Sequence, residues 1–140
     1  MTAPGATGPT GPTAPPRLAF QYTVLRCVPR ADREEFVNVG VVLYCQAADY
    51  LCAATYLDEP RLRALAAEID LIAVAESLAA VEAVCCGRSE LTRTGLAALG
   101  TRFGWLAAPR STVVRPGPIH GGLTADPDRE LGHLVERFVR

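Results

Sequence analysis

The stretch from residue 36 to residue 45 constrains the fold more than any other. It carries Val37, Val39, Val41, Val42 and Leu43 without helical periodicity, so it reads as a central strand covered on both faces. Residues 20–28, rich in aromatic and β-branched side chains and ending at Pro29, read as a strand before a loop. Residues 50–57 form a third strand-like run. The connections, residues 29–35 and 46–49, are too short for the roughly dozen residues that a parallel return requires. The first half of the chain is therefore expected to be an antiparallel β-meander.

Helical signals follow. Asp58-Glu59-Pro60 places an acidic cap before a first-turn proline, and Leu62, Leu65 and Ile69 continue as an apolar stripe. Asp70 restarts or bends the helix. Leu71, Val74, Leu78, Val81 and Cys85 then recur at spacings of three and four before Gly87 stops them, which predicts the longest helix here. Residues 92–99 are ambiguous, residues 101–107 form a short helical turn, and residues 111–115 form a fourth strand. Pro116, Pro118, Gly121 and Gly122 predict an irregular loop, and Asp126-Pro127 opens a last helix with Leu131, Leu134, Val135 and Phe138 as its stripe. The expected architecture is an α+β domain over residues 17–140, with an antiparallel sheet of about four strands and two or three helices packed on one face. Residues 1–16, rich in Pro, Gly and Thr and free of charge, are expected to be a disordered tail.

Composition excludes several chemistries. All 14 basic residues are Arg, so a lysine Schiff base, a lysine nucleophile and a phosphate-loop lysine are impossible. A net charge of -1 gives no support for nucleic-acid binding. Five cysteines, an odd number, and an N-terminus without a secretory pattern point to a reducing cytoplasm. No Cys pair has the two-residue gap of a zinc knuckle, and His120 and His133 are not at metal-binding helix spacing, so no metal or other cofactor is expected. The longest apolar-rich run, residues 71–86, is interrupted by Glu76 and Glu82, which argues against a membrane span.

Charge is unevenly spread. Residues 58–90 hold seven acids and three Arg, whereas residues 91–125 hold Arg93, Arg102, Arg110, Arg115 and His120 and no acid. Arg102-Phe103-Gly104-Trp105 and Arg110-Ser111-Thr112 interleave Arg with aromatic, hydroxyl and Gly residues, which suits a phosphate, a carboxylate or a stacked nucleobase. The same pattern would arise if these Arg paired with acids of the long helix. A hairpin with Val28 opposite Phe36 sets Arg26 opposite Asn38 and Val24 opposite Gly40, so Arg26 and Asn38 share a face. In apolar strands both need partners: either they bind a ligand or they are tied internally, Arg26 to Glu34 or Glu35. His120, between Pro118-Ile119 and Gly121-Gly122, is better placed for proton transfer than His133, which falls on the polar side of the last helix. Asp126 and Asp128 are explained by capping and first-turn roles.

Several of these segments occur together in a known pattern. Phe20-Gln21-Tyr22-Thr23-Val24-Leu25-Arg26, Glu35-Phe36-Val37-Asn38-Val39-Gly40-Val41-Val42-Leu43, Arg102-Phe103-Gly104-Trp105-Leu106, Ala108-Pro109-Arg110-Ser111-Thr112 and Asp126-Pro127 resemble the bacterial domain of unknown function family 3037 (DUF3037). The resemblance implies a small standalone cytoplasmic protein with no assigned reaction, and a HipA-type kinase-like protein as its partner. The chain departs from the family pattern at Arg115, Gly117 and Gly121, where Gln, Ser and Thr are expected. Residues and resemblance together favour an accessory or regulatory binding module, with a phosphate-containing ligand possible at Arg26, Asn38, Arg102, Arg110, Ser111 and His120. The alternative is a phosphoryl or phosphodiester transfer enzyme using His120 as acid or base with Arg26 and Arg110. A purely structural subunit is the third reading.

Overall fold

Residues 15–88 and 97–140 are described in the computed structural model of the protein. Apart from Pro15 and Pro16, the expected tail lies outside them, as do Arg93 and most of the ambiguous segment 92–99. Four strands, β1 (Leu18–Cys27), β2 (Val37–Cys45), β3 (Tyr50–Thr55) and β4 (Val114–Thr124), form one antiparallel sheet in the order β3-β2-β1-β4. Four helices accompany them among the described residues: α1 (Glu59–Leu65), α2 (Leu71–Cys85), α3 (Leu99–Ala107) and α4 (Pro127–Phe138). The arrangement is α+β, and the first three strands form the expected meander. None of these helices is long and apolar enough to cross a membrane.

Local chemistry sets the helix ends. The carboxylates of Asp58, Asp70 and Asp126 accept from the backbone N–H of Arg61, Ala73 and Arg129, so each of the three acids caps a helix as its position predicts. Asp70 thus starts a second helix and does not bend the first, which already ends at Leu65 and leaves Ile69 outside it. Gly87, at φ +74, takes the left-handed conformation that terminates α2.

Both faces of the sheet are covered, not one. Leu62, Val74, Leu78, Val84, Phe103 and Leu106 from α1, α2 and α3 pack on Leu25, Cys27, Val37, Val39 and Val42. On the opposite face, Leu131, Leu134 and Val135 of α4, with Val139 just beyond it, pack on Phe20, Val41, Leu43 and Cys45. β2 lies in the middle, as its continuous apolar run requires.

Two irregularities shape the sheet. Arg26 faces Asn38 as expected, but the register shifts between Arg26 and Leu25, so that Leu25 faces Gly40 and Val24 faces Val41. The expected pairing of Val24 with Gly40 is therefore corrected. Val39 is the extra residue, and such a bulge reverses the alternation beyond it. For that reason Val37 and Val39 face α1–α3 while Val41, Leu43 and Cys45 face α4. The second correction concerns residues 116–122, which continue β4 instead of forming an irregular loop. β4 is an edge strand, where proline removes no ladder bond that a further strand needs. A bulge at residues 117–118 absorbs the prolines, and the Thr23 hydroxyl donates to the Gly117 carbonyl there at 2.9 Å.

Candidate functional site

Strand alternation places Tyr22, Val24 and Arg26 on the α4 side of β1. Helix α4 packs on β2 and β3, leaving the adjoining surface of β1 and β4 as a concavity. Its volume is about 230 Å³, and Tyr22, Val24, Arg26, Phe36, Asn38, Pro118, His120 and Phe138 line it. Every wall is aromatic, aliphatic, amide or cationic, and none is a carboxylate.

The Arg26 guanidinium is held between two neighbours. Its Cζ lies 4.3 Å from the centroid of the Phe36 ring, a cation–π contact. On the other side lies Gly117, where a Cβ would come within 3.1 Å of Arg26 Nε and 3.2 Å of its Cζ and of the Val24 carbonyl oxygen. Glycine is what gives the guanidinium room to lie across β4. Arg26 Nε is the one buried side-chain nitrogen or oxygen among the described residues without a hydrogen-bond partner. The internal tie to Glu34 or Glu35 is not made. Glu35 instead accepts from Arg33 at 2.6 Å, which holds its carboxyl below the usual range, and Glu34 sits in a left-handed turn at φ 56.

The remaining walls have assigned contacts. Asn38 Nδ2 donates to the Phe138 carbonyl at 2.9 Å, satisfying one of the orphan acceptors at the end of α4. Asn38 is therefore tied internally even though it borders the cavity. Tyr22 lies 6.2 Å from the Phe138 ring and 5.3 Å from the His120 ring, so the aromatic side chains form a continuous wall. His120 is exposed on β4.

Arg26, Asn38 and His120 thus converge; Arg102, Arg110 and Ser111 do not join them. Arg102 donates to the carbonyls of Cys85 and Ala97, at 3.2 and 2.8 Å, closing the end of α2 against the start of α3. The Arg110 guanidinium lies 4.5 Å from the Trp105 ring centroid and donates to the Trp105 and Ala108 carbonyls. Arg115 donates to the carbonyls of Thr112 and Ser111, and the Ser111 side chain is exposed. Arg110 and Arg115 therefore bind their own loop's backbone, and not the acids of α2. Arg110 borders a separate apolar concavity of about 410 Å³ between α2, Trp105 and Val114, on the opposite side of the sheet.

Two thiols are buried in the core on the α1–α3 side of the sheet. Burial pushes the Cys27 thiol up to about 11 and that of Cys85 to about 12, so both stay protonated at neutral pH. No group of three or more His, Cys, Asp or Glu among the described residues could hold a metal. Tyr22, Phe36, Phe138 and Gly117 are the site residues that sequence reasoning missed. Tyr22 was accessible in principle, since it has the strand parity of Arg26. Phe36 was accessible too, since it lies two residues from Asn38 in the same hairpin and shares its parity; Phe138 and Gly117 depend on long-range packing.

Residues 22–139 match the family described as Protein of unknown function (DUF3037). The chain belongs to this family. The match runs from Tyr22 through Val139, so every residue that lines the cavity falls within it. No curated protein and no solved structure matches the chain.

Proposed function

We propose that this DUF3037 protein is an accessory or regulatory binding module that accepts the anionic group of a phosphate-containing ligand in the Arg26 cavity. The partnerless, buried Arg26 Nε carries this reading. Taking a guanidinium N–H out of water without an acceptor costs about 1–3 kcal/mol, and an oxyanion recovers that cost while pairing the charge. With no carboxylate among the walls, the ligand supplies the negative charge. His120 adds ring nitrogens to the wall, and Phe36 covers one face of the planar guanidinium and keeps it partly dry. At about 230 Å³ the cavity suits a phosphate or sugar phosphate better than a whole dinucleotide. A HipA-type kinase-like partner, implied by the family resemblance, would supply a nucleotide or phosphorylated ligand in a reducing cytoplasm.

The enzyme reading, phosphoryl or phosphodiester transfer, retains Arg26 and His120 and loses Arg110, which lies across the sheet. It would run on one anion-binding group and one proton-transfer group.

Titration of the full chain with inorganic phosphate, AMP and ATP at two salt concentrations, followed by NMR, tests the reading. Shifts are expected at Arg26, Phe36 and His120, and Arg26→Lys should weaken binding about 10-fold because Lys lacks the fork. Flat titrations with all three ligands sink the anion site, and a stably co-purified protein would then favour a partner module without a ligand.

A further inference from the structure

β4 is an edge strand whose outer rim is poorly protected. From Pro116 to Thr124 it contains no Arg, Asp or Glu, and its one ionisable side chain is His120. Solitary sheets blunt such rims with charges, prolines or bulges. Here Pro116, Pro118 and the bulge guard one end only, and residues 119–124 have none of these devices. Two large apolar side chains stand on the unguarded part, Ile119 at 49% exposure and Leu123 at 58%. They face the α1–α3 side, opposite Thr23 and Ala19 of β1, and among the described residues no strand lies beyond them.

We propose that β4 pairs antiparallel with β4 of a second copy of this chain, about a twofold axis through Gly121. Self-complementarity selects a second copy over a foreign strand. With Gly121 on the axis, Ile119 of each chain lies opposite Leu123 of the partner subunit, so the two exposed apolar side chains cover one another at cross-strand spacing. His120 falls opposite Gly122 of the partner subunit, which presents no side chain to meet it. No like charges face each other along the seam. A slip of one residue sets Ile119 against Gly122 or Thr124 and Leu123 against Pro118 or His120, depending on its direction, and loses both apolar pairs. The pairing joins two four-stranded sheets into one, with both Arg26 cavities on the same face and Pro118 and His120 of each beside the seam. It rests on the edge alone and is independent of any ligand at Arg26.

Analytical ultracentrifugation of the full chain over a range of concentrations tests the pairing, and a reversible dimer is expected. Ile119→Arg and Leu123→Glu should each raise the dissociation constant at least ~10-fold, about 1.4 kcal/mol. Circular dichroism should be retained, as should the melting temperature at dilutions where the wild-type chain is monomeric, because both positions are largely exposed in the single chain. Mixing the two variants should restore the dimer, since Arg at 119 then faces Glu at 123 across the axis while the wild-type Ile and Leu still meet. A wild-type chain that stays monomeric up to ~100 μM overturns the proposal. So does a dimer untouched by either substitution, or a mixture that fails to re-associate.

Discussion

A guanidinium near a strand end ordinarily directs its donors into water, and Arg26 cannot do so with all of them. Phe36 covers one side of it, Gly117 lies against the other, and its Nε is left buried without an acceptor. Replacing it by methionine keeps the stem that packs beside Val24 and removes the orphan donor. Arg26→Met is therefore expected to leave the unfolding free energy unchanged or raise it by up to ~1 kcal/mol, the lost cation–π contact partly offsetting the gain. Urea denaturation measures this, and a loss of more than ~1 kcal/mol would show that Nε has a partner. The buried thiols of Cys27 and Cys85 make a prediction of the same grain. Burial raises them from an ordinary 9.0 to about 11 and about 12, so between pH 9 and those values the folded chain holds protons that the unfolded chain has released. Their contribution is fully present below pH 9 and is lost as pH rises through that window, by about 1.4 kcal/mol per unit and thiol. Denaturation at stepped alkaline pH should show the fall, and Cys27→Ala should make it shallower.

Among the elements, α4 depends most on distant parts of the chain. Its start is written locally in Asp126-Pro127, whereas its end is held by Asn38 Nδ2 on the Phe138 carbonyl and by Arg61 Nη1 on the Val139 carbonyl. Asn38→Leu should cost about 1–2 kcal/mol, because the Phe138 carbonyl loses its donor in a partly buried setting. Amide exchange should accelerate at residues 136–139 and leave α2 unchanged. Uniform acceleration would place the effect elsewhere. The pairing of Arg26 with Asn38 was legible because both lie near the β1–β2 turn, where register is counted from the loop. Beyond it the count failed at Val39, because Gly40 was counted as an ordinary strand position although an isolated glycine inside a strand run commonly accompanies a bulge. β4 was misread for a related reason. Pro116, Pro118 and the glycines punctuate a chain considered alone, yet an edge strand needs donors on one side only.

The sheet is a shared floor for two separate cores, and its stability depends on both coverings. Removing residues 125–140 strips the cover from Phe20, Val41, Leu43 and Cys45. Burying one such aliphatic or aromatic side chain contributes about 1.5–3 kcal/mol, so the lost sum rivals the ~5–15 kcal/mol by which domains are stable. The truncated chain is expected to lose its cooperative thermal transition and near-ultraviolet dichroism; retention of both would mean that the α1–α3 core suffices. The amino-acid order by itself determined the antiparallel meander, the central place of β2, the three aspartate-capped helix starts and the facing of Arg26 and Asn38. All of these follow from period, cap and short-loop geometry within a few residues. Only the tertiary structure decided that α4 crosses to the other face, that Arg102 and Arg110 turn to backbone carbonyls, and that Phe36, His120 and Gly117 enclose Arg26. The α4, Gly117 and His120 contacts join residues far apart in sequence, and an uncovered strip of sheet sets which of them can meet; Arg110 and Phe36 find partners within ten residues, but periodicity and spacing do not say that a guanidinium will take a backbone carbonyl or an aromatic face there.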